Sequence, residues 1–159
     1  MIFSPQSRVW IYQSDRKFTS DEEVEILAKL EVFTSQWKAH GNELMAKAEI
    51  RYGYFIILTV DESRANVTGC SIDSSVRIIK NIEQAYQVDL FNRFNIAYKI
   101  DGEVHVQGKE DFETLVEIKN VTPETIVFNN MVQTLVELEK KWEVPFKDSW
   151  HSTVFAHLV

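Results

Sequence analysis

The chain has 159 residues and one cysteine, Cys70. No internal disulfide can form, so packing and hydrogen bonds must hold the fold. Gly (5) and Pro (3) are scarce. Few breakers mean long elements and tight loops, and no Pro/Gly/Ser linker divides the chain. The longest uninterrupted apolar run is Tyr54 to Leu58, far short of the roughly 20 residues a spanning helix needs. Met1-Ile2-Phe3-Ser4-Pro5 lacks a basic region followed by an apolar run, so no secretory signal is expected. Basic residues are also in deficit: 17 Lys+Arg against 24 Asp+Glu, a net charge of −7. Lys140-Lys141 and Arg16-Lys17 are the densest basic spots. Phosphate-backbone binding needs clustered cations, so nucleic acid is excluded as a partner. A reduced, soluble, cytoplasmic protein with no membrane contact is the expectation. The Asn-x-Thr sequons at Asn66 and Asn120 are then coincidences.

What is present is ordinary globular material with surplus aromatics. Hydrophobic residues make up 45%, charged residues 26% and aromatics 12%, which suits a thick core with an exposed aromatic patch. The length fits a single α+β domain spanning 1–159, with an irregular tail over 145–159. Such a chain buries about two-thirds of its unfolded surface and needs no metal to fold. No cofactor is expected.

Along the chain, residues 8–13 are apolar on both alternating faces and predict a strand covered on both sides. Thr19 or Ser20 caps a helix whose first turn carries Asp21, Glu22 and Glu23. Ile26, Leu30, Phe33 and Trp37 mark its core side, and Gly41 suits the left-handed stop. Leu44 to Tyr52 alternates cleanly as a strand, and Tyr54 to Val60 reads as a central strand. Ala65 to Thr68 is expected to add a short third strand. Ile72, Val76, Ile79, Ile82 and Tyr86 mark a second helix. Phe94, Ile96, Tyr98 and Ile100 then pair with Val104 and Val106, where the apolar pattern favours a three-residue loop or bulge over a two-residue Asp101-Gly102 turn. A short helix covers 110–119. Residues 122–128 read as a turn and an edge strand. Asn130 is expected to cap a last helix with Gln133 at N3, on a stripe of Met131, Leu135, Leu138 and Trp142 that Pro145 ends. One helix from 123 to 142 is the alternative.

The order predicts α+β: a mostly antiparallel sheet of about five to six strands packed by three to four helices. A profilin- or roadblock-like order and a ferredoxin-like one both fit.

The stretch from Thr59 to Val76 concentrates what chemistry the sequence offers. Cys70 lies beside Gly69 at the start of a helix, where free amides and the dipole can activate a thiol. Its base would be His40, His105 or His151, brought near by the fold. A small buried cysteine is the plainer account. Ser71, Asp73, Ser74 and Ser75 could hold an anion at the same helix start, or Ser71 or Asp73 simply caps it by accepting its first free amides. Asp61, Glu62 and Asp73 could form a carboxylate cluster, although acids at strand ends are ordinarily turn formers. Arg93 could pair with Asp61 or Asp73. His40, His105, His151 and His157 lack metal-ligand spacing, so no zinc site is expected. The tentative ligand-binding set is Asp61, Gly69, Cys70, Ser71, Asp73, Ser74, Arg93 and His151, with Cys70 the candidate nucleophile.

The runs Gly69-Cys70-Ser71-Ile72-Asp73, Phe128-Asn129-Asn130 and Lys147-Asp148-Ser149-Trp150-His151 resemble a family of small uncharacterised bacterial proteins often labelled "ABC transporter ATPase". The resemblance covers nearly the whole chain, from Val9 to His151. Its label implies nucleotide binding and ATP hydrolysis. The residues do not carry that implication. The nearest approach to a Walker A loop, Gly102 to Glu110, has five residues between its glycines and Glu110 where a hydroxyl must hold Mg²⁺. No Leu-Ser-Gly-Gly-Gln signature is present.

Two expectations therefore stand beside one another. One is a non-enzymatic domain acting through a protein partner or self-association. The other is a small-molecule or anion binder, or a thiol enzyme, centred on Cys70.

Overall fold

The computed structural model describes residues 2–63 and 65–156. It is α+β, with five α-helices and antiparallel sheets of three, two and four strands among the described residues. The strands expected in one sheet are thus shared among three. They divide between two compact units, Met1–Phe91 with Gln133–Val136, and Asn92–Val132 with Glu137–Val159.

In the first unit, β1 (Arg8–Gln13), β4 (Met45–Arg51) and β5 (Phe55–Asp61) form a sheet in the order β1-β5-β4. β5 is central and buried along all seven residues, as its unbroken apolar run requires. Each of Phe55, Ile56, Ile57 and Leu58 is fully buried, worth about 1.5–3 kcal/mol apiece. The free side of β1 is covered by 133–136: Val9 N donates to Gln133 O (3.0 Å) and Leu135 N to Ser7 O (2.8 Å). Two helices pack on the sheet. Helix α1 (Ser20–Gln36) starts in a capping box between Thr19 and Glu22, and α2 (Gly69–Tyr86) starts at Thr68. Ile26 and Leu30 of α1, Ile79 and Ile82 of α2, and Tyr12, Ile56 and Leu58 of the sheet share one core.

Two local expectations fail here. Helix α1 ends at Gln36, not at Gly41. His40 (φ 53°) and Gly41 (φ 79°) form the turn of a small hairpin, β2 (Lys38–Ala39) with β3 (Asn42–Glu43). Paired positive φ values are what such a hairpin turn demands. Ala65 to Thr68 carries no strand. Ala65 and Val67 instead pack against the cluster of Trp37, Ala39, Leu44 and Val60.

The second unit is built on the order β7-β6-β8-β9, with β6 (Ile96–Ile100), β7 (Glu103–Gln107), β8 (Ile126–Phe128) and β9 (Glu143–Pro145). Ile100 pairs with Glu103 and Tyr98 with His105. The loop is therefore the two-residue Asp101-Gly102 turn, not the three-residue one. Asp101 (φ 53°) and Gly102 (φ 79°) supply the left-handed pair that matches strand twist. Turn geometry outweighs the Val104/Val106 pattern, and those valines fall on the face opposite Tyr98. β8 is an interior strand, not an edge. Helix α3 (Lys109–Glu117) matches the expected short helix. The last long helix does not form from Asn130: α4 covers only Leu135–Lys141. Asn130 Oδ1 accepts from Trp142 Nε1 at 2.9 Å instead of capping, and Met131 is exposed. The tail expected to be irregular holds a 3-10 turn (Phe146–Asp148) and α5 (Trp150–Val154). His157, at the chain's end, lies outside the described residues. Tyr98, Phe112, Val127, Phe146 and Phe155 form this unit's core.

Candidate functional site

The stretch from Thr59 to Val76 runs off the end of β5, through a loop, into α2. Its two strand-end acids, Asp61 and Glu62, are occupied by backbone. Asp61 is 5% exposed; its Oδ2 accepts from Ser4 N and its Oδ1 from Ser63 N, both at 2.9 Å. Glu62 Oε2 accepts from Val67 N at 3.0 Å, and Oε1 stands 3.8 Å from Arg8 Nε. A carboxylate that terminates a buried strand in this way satisfies amides which would otherwise cost free energy. Glu62 and Asp61 act as clasps for the loop that delivers the chain to α2.

The helix start is closed by its own residues. Thr68 Oγ1 accepts from Ser71 N (3.2 Å), and Ser71 Oγ accepts from Thr68 N (2.6 Å) while donating to Thr68 O (2.9 Å). This is a capping box with serine in place of the usual Glu or Gln. Ser71 is 2% exposed, and its carbonyl accepts from the buried Trp37 Nε1 at 2.9 Å. The indole thereby anchors the end of α1 to the first turn of α2. Ser74 Oγ donates to Cys70 O (3.0 Å) and Ser75 Oγ to Ile72 O (2.6 Å). The serines therefore turn toward the helix backbone rather than toward a ligand.

Cys70 itself is exposed, which overturns its reading as a small buried residue. Asp73 is exposed as well. Gly69 lacks a positive φ, and a Cβ added there meets nothing within 4 Å. Its glycine is not required by the turn. Arg93 is exposed and belongs to the second unit, as does His151.

His151 is the most unusual titratable group of the set. It is 2% exposed, and its Nδ1 is buried without a hydrogen-bond partner. The ring stacks on Trp150 at 3.8 Å and lies 6.5 Å from Phe112. Burial pushes its pKa down to about 4, so the imidazole is neutral at physiological pH. A nitrogen closed off from water and partners is poorly placed to relay protons.

Among the described residues, no group of three or more His, Cys, Asp or Glu is placed to hold a metal ion, and no helix is long and apolar enough to cross a membrane. A shallow depression lies elsewhere on the first unit, between Asp15, Glu83, Gln87 and Asp89. No sequence signal marked it, because its acids come from a strand-end loop and the far end of α2. They too serve backbone: Asp15 Oδ1 accepts from Asp89 N (2.9 Å), Glu83 Oε2 from Leu90 N (2.6 Å) and Asp89 Oδ1 from Phe91 N (3.1 Å). Comparison with protein-family models, with curated proteins and with solved structures found no match to this chain.

Proposed function

We propose that the chain is a non-enzymatic interaction domain that acts in the cytoplasm through a protein partner or a second copy of itself. The observation that carries this reading is the second apolar stripe of α1. Ile26 and Leu30 are fully buried, yet Val24 and Val32 are 71% and 58% exposed. With the exposed Ala28 they recur at four-residue spacing along the opposite side of the helix. A surface helix ordinarily keeps one apolar stripe, and an apolar row facing solvent is the signature of a contact surface. The exposed thiol of Cys70 suits a reducing compartment.

Light scattering coupled to size exclusion, with affinity capture of bound proteins, tests the reading. The expected result is an assembly, or a retained partner, that Val24→Glu with Val32→Glu abolishes while the far-ultraviolet spectrum stays unchanged. A strict monomer that retains no partner would contradict it.

The alternative, an anion binder or thiol enzyme at Cys70, draws support from the exposed position of that thiol in the first turn of an 18-residue helix. Inertness of the folded thiol toward iodoacetamide at neutral pH would end the enzyme version. The nucleotide binding implied by the family resemblance is answered by thermal shift with Mg-ATP; no shift at millimolar ligand removes it.

A further inference from the structure

The exposed row of α1 is bordered by acids. Val24, Ala28 and Val32 step along its outer side, opposite the fully buried Ile26 and Leu30. Steps of four residues keep the row on one ridge, about 12 Å long at 1.5 Å per residue. Glu25 falls on one flank of that ridge and Glu31 on the other, and Asp21 lies one turn before Glu25. All three acids are exposed, and among the described residues no ion pair engages them. Lys29 is the only cation of the helix, and its ammonium rests over the Tyr86 ring at 4.8 Å, toward the end of α2. Valine is a poorer helix former than alanine or the long polar residues. At Val24 and Val32 no burial within the chain offsets that cost, since they are 71% and 58% exposed.

We propose that this ridge receives a basic amphipathic helix of another protein. Its apolar stripe lies on Val24, Ala28 and Val32, and Lys or Arg on either side of that stripe face Glu25 and Glu31. The inference rests on the interaction reading above and names the chemistry of the partner. Its warrant is charge complementarity around an apolar centre, the pattern by which a helix is recognised through anchors at i, i+4 and i+7. Ala28 is small and leaves a notch between the two valines, where one large side chain of the partner fits as a ridge fits a groove. A second copy suits the ridge poorly. It would bring the same three acids to the seam twice, and the one cation it could offer, Lys29, is engaged at Tyr86. The same acids oppose an anionic lipid surface, which attracts basic segments. The chain's net charge of −7 adds longer-range attraction for a basic partner.

Fluorescence anisotropy with two synthetic peptides tests it. One carries a leucine stripe flanked by lysines, the other the same stripe flanked by glutamates. The wild-type chain should bind the lysine peptide and not the glutamate one. Glu25→Lys with Glu31→Lys should weaken that binding roughly tenfold or more. Val24→Ser with Val32→Ser should weaken it similarly by removing the apolar anchors. All four positions are exposed, and either pair carries the test if the other fails to fold. Glu117→Lys with Glu139→Lys makes the same charge change at exposed positions of α3 and α4 and should leave binding unchanged. Equal weakening by this last pair would reduce the binding to general attraction between acid and base and overturn the assignment to α1. Failure to bind the lysine peptide, or equal binding of the glutamate one, overturns it as well. The interaction reading then still stands if the wild type forms an assembly or retains a partner that Val24→Glu with Val32→Glu loses. A strict monomer that binds neither peptide nor partner overturns both.

Discussion

In the first unit the deepest element is β5, hydrocarbon for most of its length, and the acids Asp61 and Glu62 sit at its end clasping backbone amides. In the second unit the deep material is aromatic. Phe112 lies 5.1–6.0 Å from Tyr98, Phe146 and Phe155, and the imidazole of His151 is buried at its margin. The first unit thus keeps ionisable groups where charge helps it. The second encloses one whose charged form has no partner. Buried polarity is inexpensive while neutral and costly once ionised, so the two units should respond differently to acid.

The largest expected effect is on packing. Phe112→Ala removes a fully buried ring that touches every other aromatic of its cluster, at a cost of about 3–5 kcal/mol. Chemical denaturation should show the loss. A change below about 1 kcal/mol would mean the aromatic cluster is not the unit's core.

Acid comes next. The folded pKa of His151, about 4, lies below its ordinary 6.5, so the unfolded chain takes up the proton more readily. Stability is therefore intact above pH 6.5 and falls as pH drops toward 4, by up to about 3 kcal/mol. His151→Phe should remove that slope, read from melting temperature against pH. In the first unit the acid response belongs to Glu22. Its hydrogen bond from Arg16, helped by the Thr19 amide, holds its carboxyl down to about 2 from 4.5. The stability it contributes is lost only as pH falls from about 4.5 toward 2. A melting profile flat between pH 6.5 and 4 in the wild type would erase the contrast between the units.

The smallest effects sharpen the account of the helix start. Thr68→Ala removes half of the box at α2 and should cost about 1 kcal/mol. Gly69→Ala should stabilise by about 0.4–1 kcal/mol, because the position has room and an ordinary φ. Destabilisation by Gly69→Ala would mean that something approaches the backbone there.

Much of this was legible along the chain, and the failures share a cause. β1, β5, the acids of α1 and the stripe of α2 follow from local periodicity and dipole chemistry, and they stand where the pattern put them. Gly41 and Asp101-Gly102 were misread because one signal serves several turns. A left-handed glycine can end a helix or close a hairpin, and only the strand pairing decides. Asn130 and Gln133 looked like a capping box, yet the Asn130 side chain is drawn off by Trp142, and the Gln133 backbone carbonyl accepts from Val9 beside β1, two residues before α4 begins. Of the candidate site, the part of Ser71 in closing the helix start was foreseen. Thr68 as the cap, the Trp37 anchor on Ser71 and the isolation of His151 were not. Each depends on contacts between residues far apart in the sequence.

The central claim is that this chain works through contact with protein, on the exposed apolar row of Val24, Ala28 and Val32 along α1. Light scattering coupled to size exclusion, with affinity capture of bound proteins, on wild type and on Val24→Glu with Val32→Glu addresses it most directly. The expected result is an assembly or a retained partner that the double variant loses. A wild type that stays monomeric at every concentration and retains no partner would contradict it.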